Sequence, residues 1–277
     1  ACSVMVLIGF FSVLILLYTL SGISTRKAIS HFDSLILLTL WASVFTVLSD
    51  SLFMFIFFWG FLGLTLYKLI EGKDAEGAAA AKKTLILIGA SDGIMILGIG
   101  ILWKITGHFN ISEITVRTSD PIRICAFLAL LIGSFTKAGA FPFHTWVPDF
   151  TKKAPAASSA YLPAALDKLI GIYFLVRICH DIFRMNQWIR MILLIMGLLT
   201  IIVGVMMALV QHNYKRLLGY HAVSQVGYMV TGIALGSVLG LAGGLFHMVN
   251  NAIYKSGLFL AAGNVKERTG TDDLEQV

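Results

Sequence analysis

Apolar residues fall into nine long runs, at roughly 2–22, 33–49, 51–71, 84–106, 122–141, 156–177, 189–210, 217–236 and 240–263, divided by short polar stretches. Each run approaches the ~20 residues that a helix needs to cross the hydrocarbon core of a bilayer. Helix is required, because an open sheet edge leaves backbone groups unsatisfied in lipid. The pattern predicts an all-α, polytopic transmembrane helical bundle of about nine helices, a single transmembrane domain over 1–277. Composition agrees. Hydrophobic residues make up 57% of the chain and charged residues 13%, against the roughly 25% charged of soluble domains. A soluble fold would lack polar surface.

Charge then sets the orientation. The net charge is +6, but the basic residues lie between apolar runs and form no patch that would read as a nucleic-acid surface. With nine crossings, one side of the membrane holds twelve of them: Arg26, Lys27, Lys68, Lys73, Lys82, Lys83, Lys152, Lys153, Lys215, Arg216, Lys266 and Arg268. The other side holds six: Lys104, Arg117, Arg123, Arg177, Arg184 and Arg190. The positive-inside rule puts the first side in the cytoplasm. Cys2, Cys125 and Cys179 are too far apart to suggest a metal site or a disulfide framework. The chain opens in an apolar run without methionine, and Ala1 to Leu20 lacks the basic start of a signal peptide. A piece of a longer protein is the expectation.

The stretch from Ala138 to Pro163 breaks the pattern. It contains Pro142, Pro148, Pro155 and Pro163, with Gly139 and the polar run Asp149 to Lys153. Proline removes a backbone donor and interrupts a helix. Irregular backbone at membrane depth is tolerated only within protein or beside water, and transporters place ion sites there. An ordinary loop between two helices is the plainer reading.

Five ionisable residues cannot be assigned to loops: Lys137, Lys168, Lys255, Asp92 and Asp167. Each costs several kcal/mol in lipid, so such groups face protein or water and mark ion paths. Removal from water favours the neutral form of an ionisable group, and a lysine near a carboxylate can take up and release protons. Plainer roles exist for each. Asp167 and Lys168 are adjacent and point different ways around a helix, Lys255 could snorkel, and Asp92 could bind backbone beside Gly93. His144, His221 and His247 fall in the broken region or inside helices and could join a relay or sit satisfied in the core. His31, His108, His180 and His212 lie at loop edges, where solvation is expected. The chain carries no zinc-protease, phosphate-loop or nucleophile-elbow motif, so no catalytic residue, metal site or cofactor site is expected in it.

Several motifs occur together in one order. They are Ala140-Phe141-Pro142-Phe143-His144-Thr145-Trp146-Val147-Pro148-Asp149, Ala154-Pro155 with Ser159-Ala160, Asn213 to Tyr220 with Ser224 to Gly227, His247 to Lys255, and Arg268 to Thr271. They resemble the antiporter-like membrane subunits of respiratory complex I, Mrp Na+/H+ antiporters and membrane-bound hydrogenases. The resemblance implies a core of about fourteen helices built from inverted repeats, of which this chain would cover roughly the third through the eleventh. It implies protons or sodium ions moving along a central polar axis. Lys137 would stand on the broken helix at the input side, Lys255 at the centre, and Lys168 on the helix after the break. Partners would be other membrane subunits of an oxidoreductase or translocase complex. Iron–sulfur clusters, flavin, nickel–iron or quinone would belong to those partners, and this chain would be non-catalytic. The location would be a bacterial or archaeal cytoplasmic membrane, or a mitochondrial or plastid inner membrane.

Three departures stand out. Gly60, after Trp59, occupies the place of a family glutamate that pairs with the broken-helix lysine; Pro163 and Asn251 replace histidines. Asp92, on the family's acidic sixth-helix position, is the candidate substitute. Two other roles compete with ion translocation. One is a structural or coupling subunit with a degenerate path, and the other a membrane partner in inorganic-carbon uptake.

Overall fold

The computed structural model describes residues 1–22, 26–70 and 75–276, with the side chains of residues 21–30 set aside. Arg26, Lys27 and Lys73 of the charge count therefore lie outside the described side chains. Eleven helices form among the described residues: α1 (Cys2–Gly22), α2 (Arg26–Leu48), α3 (Leu52–Ile70), α4 (Ala75–Thr106), α5 (Pro121–Ala138), α6 (Trp146–Lys153), α7 (Ala156–Tyr161), α8 (Asp167–Val176), α9 (Gln187–Leu209), α10 (Tyr214–Ala234) and α11 (Val238–Thr269). Six are long and apolar enough to cross a membrane: α1 to α5 and α9. α10 and α11 are long enough but carry polar and ionisable residues. α5 with α6, and α7 with α8, are spans in two pieces.

The nine predicted runs thus correspond to these spans, with boundary differences that have local causes. α4 starts well before residue 84, because Ala78 to Ala81 are strong helix formers and extend it past the apolar run. α11 likewise runs on to Thr269, where Gly270 at φ 76° closes it in the left-handed conformation.

The loops separate onto two faces, as the charge count predicts. On one face, Lys83 binds Asp149 at 2.6 Å, Lys153 pairs with Glu76, Lys215 donates to the Ala154 carbonyl at 2.9 Å, and Tyr18 donates to Asn264 at 2.9 Å. On the other, Arg177 reaches Asp50 at 3.4 Å and the Ser112 amide donates to Asp50 at 3.2 Å. A two-residue parallel pair, β1 (Val116–Arg117) with β2 (Phe183–Arg184), ties two loops together there. An all-α reading did not include it.

The core gathers around α8. α5 packs on α8, α3 on α4, α4 on α5, and α11 on α7 and α8. Gly171 allows the closest of these approaches. A Cβ there would lie 2.8 Å from the Ala138 amide nitrogen and 2.9 Å from its Cβ. The backbones of α8 and the end of α5 can meet only because residue 171 has no side chain.

Candidate functional site

The break after α5 is built by its sequence. Gly139 adopts φ 79° and ends the helix, and the Phe141–Pro142 bond that follows is cis. The last carbonyls of α5 are satisfied piecemeal. Phe135 accepts from the Gly139 and Ala140 amides, and Thr136 accepts the Trp146 indole N–H at 2.8 Å. Ala138 accepts the Lys168 ammonium at 3.4 Å. A helix C-terminus carries partial negative charge, so it favours cations in its last turn. Lys137 sits in that turn.

On the facing span, Pro163 lacks the N–H that a helix would use, and the chain widens into a π-turn over Leu162–Leu166. One extra residue in a turn rotates everything after it by about 100°. Asp167 and Lys168 follow at once. Asp167 faces Lys137 at 4.0 Å, and Lys168 turns to the Ala138 carbonyl. The two neighbours therefore do point apart, to different partners at the same break.

Burial here is nearly complete: Lys137 and Lys168 are each 1% exposed, Lys255 0% and Asp167 2%. The ammonium groups of Lys137 and Lys255, and one Asp167 oxygen, have no hydrogen-bond partner among the described residues. Lys255 lies deep within α11, which rules out snorkelling. It is within Coulombic range of Lys168, and His221 on α10 is within range of Lys255. Asp92 is half-buried and bonds the Trp59 indole at 2.8 Å rather than the backbone beside Gly93. Lys137 lies over that ring, 5.2 Å from its centroid. The structure thus strings Asp92, Lys137, Asp167, Lys168, Lys255 and His221 into one row across α4, α5, α8, α11 and α10.

Two predicted residues stand aside. His144 lies within the break, against the Phe141 ring at 5.8 Å and the Tyr220 ring at 6.4 Å. His247 faces a groove between α10 and α11, against Tyr228 at 5.6 Å. Of the histidines expected in solvent, His108 pairs with Glu113 at 2.7 Å and His212 with Glu275 at 3.1 Å. His180 departs from that reading. It is half-buried, with no partner for Nε2 among the described residues, because a second π-turn over Arg177–Ile182 carries it inward.

Three residues join the row without having been singled out for it. Trp59 is one. Tyr161 hydrogen-bonds Ser12 at 2.7 Å within Coulombic range of Asp167. Asn251, one turn before Lys255, is fully buried, and both its amide atoms lack a partner among the described residues. An aromatic or amide letter in an apolar run reads as core or loop edge, so only a three-dimensional arrangement exposes them. No group of three histidine, cysteine or acidic residues among the described residues is arranged to hold a metal ion.

Residues 49–277 match the family described as NADH:quinone oxidoreductase/Mrp antiporter, transmembrane. The chain belongs to this family. It is 32% identical over 280 residues to NADH-quinone oxidoreductase subunit N of Desulforudis audaxviator, covering 98% of this chain and 56% of that protein. It is 30% identical to Na(+)/H(+) antiporter subunit A1 of Staphylococcus epidermidis, covering 95% of this chain and 35% of that protein. Among solved structures, a chain of the archaeal membrane-bound sulfane sulfur reductase superposes with a TM-score of 0.85 at 25% identity, over 98% of this chain and 56% of that one. A chain of the Mrp complex from Dietzia superposes with a TM-score of 0.81 at 27% identity, over 87% and 46%. The chain spans about half, or less, of the length of these relatives. Membership makes it an integral membrane protein of antiporter-like fold.

Proposed function

We propose that this chain is an ion-translocating membrane subunit of a multisubunit complex, and that protons are its ion. The row of three buried lysines carries the reading: among the described residues the Lys255 ammonium has neither hydrogen bond nor ion pair, and that of Lys137 has no hydrogen bond and only Asp167 at 4.0 Å. Structural lysines at such depth need partners, because an unpaired buried charge is costly. Lysines that exchange protons need to be free to leave them. In this reading a proton passes along Lys137, Asp167, Lys168 and Lys255, with Asp92 modulating Lys137 and His221 following Lys255. His144 and His247 would serve at the ends, off the row. Titratable groups line this row, whereas a sodium site would gather several oxygen ligands. The relatives named for NADH-quinone oxidoreductase, Na(+)/H(+) antiport and sulfane sulfur reductase assemblies support a place among other membrane subunits, which would hold any redox cofactor.

The test is the assembled complex in proteoliposomes with a pH-sensitive dye inside. Lys137→Ala should abolish acidification while leaving assembly intact. Unchanged acidification would sink the reading. A coupling or scaffold role is the second reading, favoured by Gly60, where an added Cβ would meet nothing within 4 Å and no carboxylate stands. In that case the alanine variant would acidify normally.

A further inference from the structure

Gly60 leaves open space where the resemblance leads one to expect a carboxylate. The tryptophan before it lies between two charged groups instead. The Trp59 indole N–H donates to Asp92 Oδ1 at 2.8 Å, and the Lys137 ammonium lies 5.2 Å from the ring centroid. The indole is 0% exposed. Phe55 and Phe174 hold it in place, their centroids 5.2 and 5.4 Å from its own. Gly63, one turn further along α3, brings the two helices close: a Cβ there would sit 3.2 Å from Ile88 Cγ2 and 4.0 Å from Asp92 Oδ2.

We propose that Trp59 is a positioning residue for ion translocation, an indole bridge that stands in for a direct lysine–carboxylate contact. The proposal rests on Lys137 being the ion carrier argued above. Indole is a donor only, and its bond to a carboxylate is charge-assisted. The π face of the same ring attracts an ammonium. One rigid side chain therefore steadies Asp92 and Lys137 together while keeping them from meeting. Lys137 stays uncaptured, 4.0 Å from Asp167 on the next step of the row. The titratable groups around the indole are Asp92 from α4 and Lys137 from α5, with Asp167 of α8 behind Lys137.

Phenylalanine keeps the ring face and removes only the N–H. Translocation by the assembled complex should be measured against pH for the wild type, Trp59→Phe, Asp92→Leu, their double variant and Lys137→Ala. Trp59→Phe should slow translocation about tenfold, the scale of one charge-assisted hydrogen bond. Its pH profile should match that of Asp92→Leu, which also lacks the bond, and the double variant should be no slower than the slower single one. A Trp59→Phe complex with wild-type rate and profile, or a double variant whose losses multiply, overturns the proposal. Should Trp59→Phe fail to assemble, Asp92→Asn and Asp92→Leu decide. Asparagine still accepts from the indole and leucine does not, so the leucine complex should be slower; equal rates overturn the bridge. Normal translocation in Lys137→Ala overturns the site reading and the bridge together. An inactive Lys137→Ala beside an unaffected Trp59→Phe overturns the bridge alone.

Discussion

Lys137 and Asp167 form a buried pair at 4.0 Å, too long for a hydrogen bond yet close enough for each charge to offset the other's desolvation. Removing one partner strands the other. Asp167→Asn should lower the stability of the detergent-purified protein by roughly 3 kcal/mol, the scale of breaking a buried pair. Asp167→Asn with Lys137→Met should cost less than Asp167→Asn alone, since no charge is then stranded. Thermal unfolding of the wild type and these two variants measures this, and a double variant less stable than Asp167→Asn would contradict it. These two residues were legible in the sequence because an ionisable letter inside an apolar run has few structural excuses. The direction of their pairing was not. It depends on the π-turn at Pro163, and a proline announces a disturbed helix without saying whether the helix kinks, ends or widens. The sequence reading favoured Asp92 as the partner of Lys137. In the fold Asp167 is the nearer carboxylate, and Asp92 is reached through an aromatic ring that looked like ordinary core.

At the scale of elements, the site depends on how closely α8 approaches the broken end of α5. Gly171 sets that distance, since any Cβ there runs into the backbone of Ala138 at 2.8 to 3.0 Å. Gly171→Val should therefore push the two helices apart and destabilise the fold by about 1–3 kcal/mol, the usual cost of overpacking. It should also slow translocation by loosening Lys168 from the Ala138 carbonyl. A valine variant with wild-type melting temperature and rate would show that the approach is not needed. The spans themselves were legible because twenty apolar residues in a row leave few alternatives to a membrane helix. α10 and α11 were legible by length even though their polar residues make them weak spans by composition. The pair β1 and β2 could not be read, because two residues carry no alternation to detect.

At the scale of the whole molecule, the contacts sort the loops into two rims that agree with the charge asymmetry. A cysteine in place of Ser112 should react with a membrane-impermeant maleimide added outside intact cells, and one in place of Lys82 should react only after permeabilisation. The reverse pattern would invert the orientation. The contacts also differ in when they can close. On one rim, Lys83–Asp149 and Lys153–Glu76 can form once residue 153 is made, whereas Tyr18 and Asn264, on the same rim, are 246 apart in sequence. Asp50 and Arg177, on the opposite rim, are 127 apart. In a chain made from its N-terminus at ~5–20 residues per second, the Tyr18–Asn264 contact waits several seconds longer than the others. The last helix therefore arrives at a bundle already laced on both rims, and seals it against the first.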